Sequence, residues 1–198
     1  MAKHGIFEST KLYGCMNVSF ISATDAIDNG SIVADNGLAT GYIDVYNAKK
    51  PTLSDAVYIV GHSMYGYDDR LAEDINEDNF TNPAGKPFRT YELKKDRKFK
   101  VSSDMITPIN SSTDLAVGQY VVADGTFKMA AKAAIPEGAT FVGIIEQIEE
   151  TGFPYFGSSK GQLVTKQIVT PTGTETESYG YTFDTRLTKV KIRVLKNG

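Results

Sequence analysis

In Lys189-Val-Lys-Ile-Arg-Val194 apolar and basic residues alternate one for one. Successive side chains of a strand point to opposite faces, so Val190, Ile192 and Val194 line one face and Lys189, Lys191 and Arg193 the other. A segment built this way folds only as a sheet strand with one face on a core. Similar runs recur along the chain: Gly41-Tyr-Ile-Asp-Val-Tyr46, Ala56-Val-Tyr-Ile-Val60, Gln119-Tyr-Val-Val-Ala123, Phe141-Val-Gly-Ile-Ile-Glu-Gln-Ile148 and Gln162-Leu-Val-Thr-Lys-Gln-Ile-Val169. In the fourth of these, Val142, Ile144 and Ile148 are expected on one side. Between the runs stand Asp28-Asn-Gly30, Asp35-Asn-Gly37, Asp124-Gly125, Pro136-Glu-Gly138 and Pro171-Thr-Gly173. Asn-Gly and Asp-Gly accept the positive φ that tight hairpins need.

These features predict a mainly β fold, an antiparallel sandwich or barrel of short strands. One short acidic helix is expected over Asp68–Asp78, where Leu71 and Ile75 sit a turn apart and acids crowd the first turn. A single helical turn is expected over Ala130–Ala134, ended by Pro136. The 198 residues suit one β-rich domain. A weak echo links Gly30-Ser-Ile-Val-Ala-Asp35 to Gly118-Gln-Tyr-Val-Val-Ala-Asp124, with one residue inserted in the second. The plainer reading is two hairpins with convergent turns. The sharper one is a repeated β-unit, about 12–61 and 101–198, around a polar excursion at 62–100.

The chemistry-bearing residues are sparse. His4 and His62 have no second histidine or cysteine at ligand spacing, so no zinc site is expected. Gly61-His-Ser-Met-Tyr-Gly66 places Ser63 beside a histidine but is not G-x-S-x-G, and a loop is the better account. Cys15 reads as a small core side chain. Asp74, Asn76 and Asp78 copy the first spacings of a calcium loop, but Asn79 and Gly85 stand where glycine and a bidentate glutamate are required. Gly152-Phe-Pro-Tyr-Phe-Gly-Ser-Ser-Lys160 lacks the Gly-Lys pair of a phosphate loop. No catalytic residue, cofactor or small-molecule substrate is expected.

What remains points to surfaces. Phe153, Tyr155 and Phe156 between glycines read either as an aromatic hook for a partner's pocket or as a loop packed on its own sheet. Glu92–Lys100 carries Lys94, Lys95, Arg97, Lys98 and Lys100. A net charge of −3 argues against nucleic acid as the partner and for a solvated face. A third reading sets this run on one copy or subunit against Asp74, Glu77 and Asp78 on another. The start of the chain lacks the charged and apolar regions of a signal peptide, and no apolar run approaches membrane-spanning length, so synthesis in a reducing cytoplasm is expected.

Gly118-Gln-Tyr-Val-Val-Ala-Asp-Gly-Thr-Phe127, Pro136-Glu-Gly-Ala-Thr-Phe-Val-Gly-Ile-Ile145 and the final basic strand resemble small structural proteins of tailed bacteriophages, of the head decoration (cement, or auxiliary capsid) type. The opening Lys11–Phe20 has a similar character. The resemblance implies a β-rich fold, many copies per virion, no catalysis, and binding to the major capsid protein, other virion proteins and copies of itself. Two other functions fit the same residues: a tail-tube or head–tail junction protein, and a carbohydrate- or ligand-binding β module.

Overall fold

A computed structural model describes residues 4–62, 80–110, 115–151, 162–170, 173–182 and 187–198, with the backbone alone for 150, 151, 162–187 where included. The acidic helix expected over Asp68–Asp78 lies outside the described residues. The fold is mainly β. Its strands are β1 (Phe7–Lys11), β2 (Asn17–Ile21), β3 (Ile32–Leu38), β4 (Val45–Lys49), β5 (Tyr58–Val60), β6 (Pro87–Glu92), β7 (Lys98–Ser102), β8 (Ile106–Thr107), β9 (Tyr120–Ala123), β10 (Met129–Lys132), β11 (Phe141–Thr151), β12 (Gln162–Thr170), β13 (Gly173–Thr182) and β14 (Leu187–Asn197). Among the described residues the one helical element is a 3-10 turn, Ser103–Met105, between β7 and β8.

The chain forms two compact units. One spans 150–187 and is built on the antiparallel hairpin β12–β13, registered Gln162 to Thr182 through Thr170 to Gly173. The other, the body, comprises residues 2–149 and 188–198.

The body holds the same strand order twice. Strands β2-β4-β3-β5-β6 close a small barrel, with β2 and β4 parallel and the other pairs antiparallel. A second sheet runs β8-β10-β9-β11-β14-β7, with β1 added at its edge. Here β8 and β10 are parallel, while β10–β9, β9–β11 and β14–β7 are antiparallel. Because β8 follows β7 after only the 3-10 turn, the sheet curls into a half-barrel. The counterparts are thus β2 with β7 and β8, β3 with β9, β4 with β10, β5 with β11, and β6 with β14.

Backbone hydrogen bonds repeat with the topology. Before β3, Ser31 N–H donates to the Asp28 carbonyl (3.2 Å), Gly30 N–H to the Val60 carbonyl (2.8 Å) and Val60 N–H back to the Ser31 carbonyl (2.8 Å). Before β9, Gln119 N–H donates to Ala116 (3.3 Å), Gly118 N–H to Ile145 (2.9 Å) and Ile145 N–H to Gln119 (2.9 Å). Both are turns closing on a glycine bulge, and the bulge needs positive φ: Gly30 has 83° and Gly118 91°. A third copy precedes β7. Arg97 N–H donates to Lys94, Asp96 N–H to Val194 and Val194 N–H to Arg97, with Asp96 at φ 63°.

The echo between residues 30–35 and 118–124 is therefore a structural repeat. Register aligns it without a gap, Gly30 with Gly118, Val33 with Val121 and Gly37 with Gly125, because Ile32 and Tyr120 hold the same place against β5 and β11. The repeat boundaries differ from those expected. Residues 87–100, assigned to a polar excursion, include β6, which closes the first barrel, and the start of β7 in the half-barrel. Long connections instead interrupt both repeats at the same place, 61–86 between β5 and β6 and 152–186 between β11 and β14.

Three cores hold the body. Phe20, Ile27, Val33, Val60 and Phe88 fill the barrel. A larger core around Phe99, Val101, Val121, Phe141, Ile145 and Ile192 fills the half-barrel, and Ile32 and Ile59 from the barrel's outer face join it. Val122, Ala130, Ala139 and Val142 form a third, under Leu53. Val190, Ile192 and Val194 are fully buried, as their alternation requires. Ala130–Ala134 holds no helical turn. Ala130 and Ala131 are buried strand residues of β10, between β9 and β8, where packing overrides alanine's helix preference. The run Gly41–Tyr46 is mostly a hairpin tip, and its strand starts only at Val45. In β11 both faces are used: Phe141 and Ile145 enter the larger core, and Val142 the third.

Candidate interaction surface

The basic run from Lys94 to Lys100 lies on the turn before β7 and on β7 itself. Its alternation sends Phe99 and Val101 into the core and Lys98 and Lys100 outward, beside Lys189, Lys191 and Arg193 of β14. So many cations on adjoining strands repel one another unless anions stand among them. Strand β11 and its neighbours provide the anions. Lys98 Nζ donates to Glu146 at 2.7 Å, and Arg193 Nε donates to the same carboxylate at 2.8 Å. Lys100 Nζ donates to Glu149 at 2.6 Å. Lys189 pairs with Glu8 of β1. The Lys98 hydrogen bond holds the Glu146 carboxyl below the ordinary carboxylate range, and the Lys100 bond does the same for Glu149.

The remaining cations of the run are partly used at the turn. Lys94 Nζ donates to the Gly14 carbonyl (2.8 Å) and faces Glu92. The Arg97 guanidinium lies 5.5 Å from the centre of the Tyr13 ring. Lys95 is exposed. The ladder is thus largely neutralised within the chain. Asp74, Glu77, Asp78, Phe153, Tyr155 and Phe156 lie outside the described residues, as does Ser63.

His62 sits where the first long connection leaves β5. Its backbone N–H donates to Asn29 Oδ1 (3.0 Å), Asn29 Nδ2 donates back to its carbonyl (3.0 Å), and Nδ1 accepts from the Arg89 N–H (3.2 Å). The ring stacks near Phe80. Burial, with the Arg89 charge second, lowers its pKa. These contacts fix the chain at the turn. Cys15 is half-buried against the larger core. Among the described residues no three His, Cys, Asp or Glu side chains converge as metal ligands, and no helix is long and apolar enough to cross a membrane.

Two surface features carried no sequence signal. One is an open, mainly apolar groove of about 550 Å³ between the Thr52–Leu53 segment and the β9–β10 hairpin, with Val122, Lys132 and Pro136 on its walls. The other is the β3–β4 hairpin tip, where Leu38, Tyr42 and Ile43 are exposed. Both present mainly apolar side chains to solvent. Comparison with protein-family models, with curated proteins and with solved structures finds no match.

Proposed function

We propose that this chain is a structural component of a bacteriophage virion, an auxiliary head protein that binds the major capsid protein and stabilises the shell. The carrying observation is architectural. A doubled barrel is interrupted at the same point of each repeat by a long connection, and one of these carries a hairpin of nine- and ten-residue strands. Long connections on a stable sheet scaffold are where binding is most readily grafted. The side chains between them serve cohesion: the charged ladder is satisfied across strands, and the histidine at the first connection holds backbone. Resemblance of the Gly118–Ile145 region and the last strand to head decoration proteins names the partner class. On this reading the protein is made in the bacterial host cytoplasm and ends in the capsid, without nucleic acid, membrane or cofactor.

The test is add-back. Purified protein is mixed with phage heads assembled without it, and the heads are imaged and challenged by heat. Saturable density on the shell and a higher rupture temperature are the expected results. Heads that neither bind the protein nor gain stability overturn the reading. A ring at the portal or a tube in the same images places the protein at the junction or tail instead.

A further inference from the structure

The contact between the two repeats inside one chain has an unfilled counterpart outside it. Within the chain, the tip of the β9–β10 hairpin plugs one end of the barrel. Phe127 packs against the Phe20–Phe88 core, and its carbonyl accepts from Ile32 N–H at 2.8 Å. Gly125 N–H donates to the Pro51 carbonyl at 2.9 Å, and Lys50 Nζ lies 5.4 Å from the centre of the Phe127 ring. The start of β3 and the end of β4 receive this tip.

Each of these strand ends has a counterpart in the other repeat. The counterparts of the receiving end are the start of β9 and the end of β10. These are bare: Val117 is 62% and Ile135 50% exposed, and Lys132 reaches solvent. The counterpart of the plugging tip is the β3–β4 tip. It too is bare, with Leu38 54% and Ile43 87% exposed beside Tyr42. Among the described residues eight large apolar side chains are exposed, and five of them lie on these two patches, a concentration that scattered surface residues do not show.

The two patches cannot meet within one copy. The β3–β4 tip is at the far end of those strands from Pro51, where the second repeat's tip docks. The bare receiving end is at the far end of β9 and β10 from that same junction. The chemistry also matches. Lys132, at the end of β10, brings a positive charge to the receiving end that can lie over Tyr42 of an incoming tip. Exposed Asp44 at the tip adds an opposite charge. The apolar groove runs from Leu53 and Gly125 near the internal junction to Lys132 and Pro136 at the receiving end.

We infer that copies of this chain assemble head to tail, the β3–β4 tip of one seating on the Val117–Ile135 end of the next, repeating the contact its own two repeats make. Such a contact is heterologous: it closes into a ring or continues as a filament. It stands whether or not the chain belongs to a virion, since the test uses the purified protein alone.

Sedimentation of the full chain across a concentration series reads it. The weight-average mass should climb through multiples of 21.6 kDa. Ile43→Asp and Ile135→Asp should each stay at the monomer mass where the unaltered protein associates. An equimolar mixture of the two should reach twice the monomer mass and stop, because one variant keeps a receiving end and the other a tip. Circular dichroism and melting temperature verify folding, and Ile43→Ser with Ile135→Ser replaces any variant that fails. An unaltered protein that is monomeric throughout, a mixture that stays monomeric, or an Ile43→Asp chain that assembles normally overturns the inference.

Discussion

The barrel and the half-barrel share strand order and bulges, yet they are filled in different ways. In the barrel, Phe20 of β2 faces Phe88 of β6. At the counterpart position of the half-barrel, Val101 of β7 faces Val190 of β14. Two phenylalanines fill a small closed barrel from within. The adjoining pair on the same two strands is Phe99 with Ile192, and Ile32 and Ile59 on the barrel's outer face join that larger core. Each sheet takes side chains from the other, for Phe127 in turn packs against the barrel core.

The largest effect should come from emptying the closed barrel. Phe20→Ala is expected to cost about 3–5 kcal/mol, against about 2 kcal/mol for Val101→Ala, read by urea denaturation. Equal losses would mean that the two cores are not filled differently. Next come the bulge glycines. Alanine at either position adopts an unfavourable positive φ, for about 1–2 kcal/mol. At Gly30 a Cβ would also lie 3.1 Å from the Ile6 carbonyl oxygen and 3.2 Å from Val101 Cγ1, whereas at Gly118 it meets nothing within 4 Å. Gly30→Ala should therefore lower the melting temperature more than Gly118→Ala, and the reverse order would break the comparison.

Asn197 ties the repeats together. Its Oδ1 accepts from Val57 N–H, and its Nδ2 donates to the carbonyls of Val57 and Leu93, each at 2.9 Å. Asn197→Ala should cost about 1–2 kcal/mol, with hydrogen exchange rising at Val57 before the barrel interior. The smallest effect concerns the charged ladder. The folded-state pKa of Glu146 is depressed, so its stabilisation is complete above the ordinary carboxylate range and is lost as pH falls through the folded value. Glu146→Gln should remove about 1 kcal/mol or less at neutral pH, and thermal melts of the variant and the parent should converge in acid.

Much of this fold was legible. The alternation in Lys189–Val194 located β14 and its buried face, and the Asn-Gly and Asp-Gly pairs marked turns. Strand β6 escaped because Pro87-Phe-Arg-Thr-Tyr-Glu92 buries Thr90 in line with Phe88, so its inward face does not read as apolar. The echo was visible but misaligned, since matching the letters Ala-Asp shifts the second copy by one, and only strand pairing sets register. The charged surface was half legible. Lys98 and Lys100 stood out, but their partners lie 48 and 49 residues away, across a sheet that no local pattern describes. The exposed hairpin tip was hidden for a related reason, because Gly41–Tyr46 has the composition of a strand and only the β3–β4 pairing shows where it turns.

Strand β14 is the last of the described strands, yet it lies between β7 and β11 in the middle of its sheet. During translation every strand of the closed barrel has emerged by Glu92, and that repeat can fold while the ribosome is still at work. The second repeat must wait with its central gap open until Leu187–Asn197 appears. A ribosome stalled shortly before Leu187 would therefore hold one finished barrel and one set of unpaired strand edges, the state most exposed to chaperones and to mispairing with a neighbouring nascent chain.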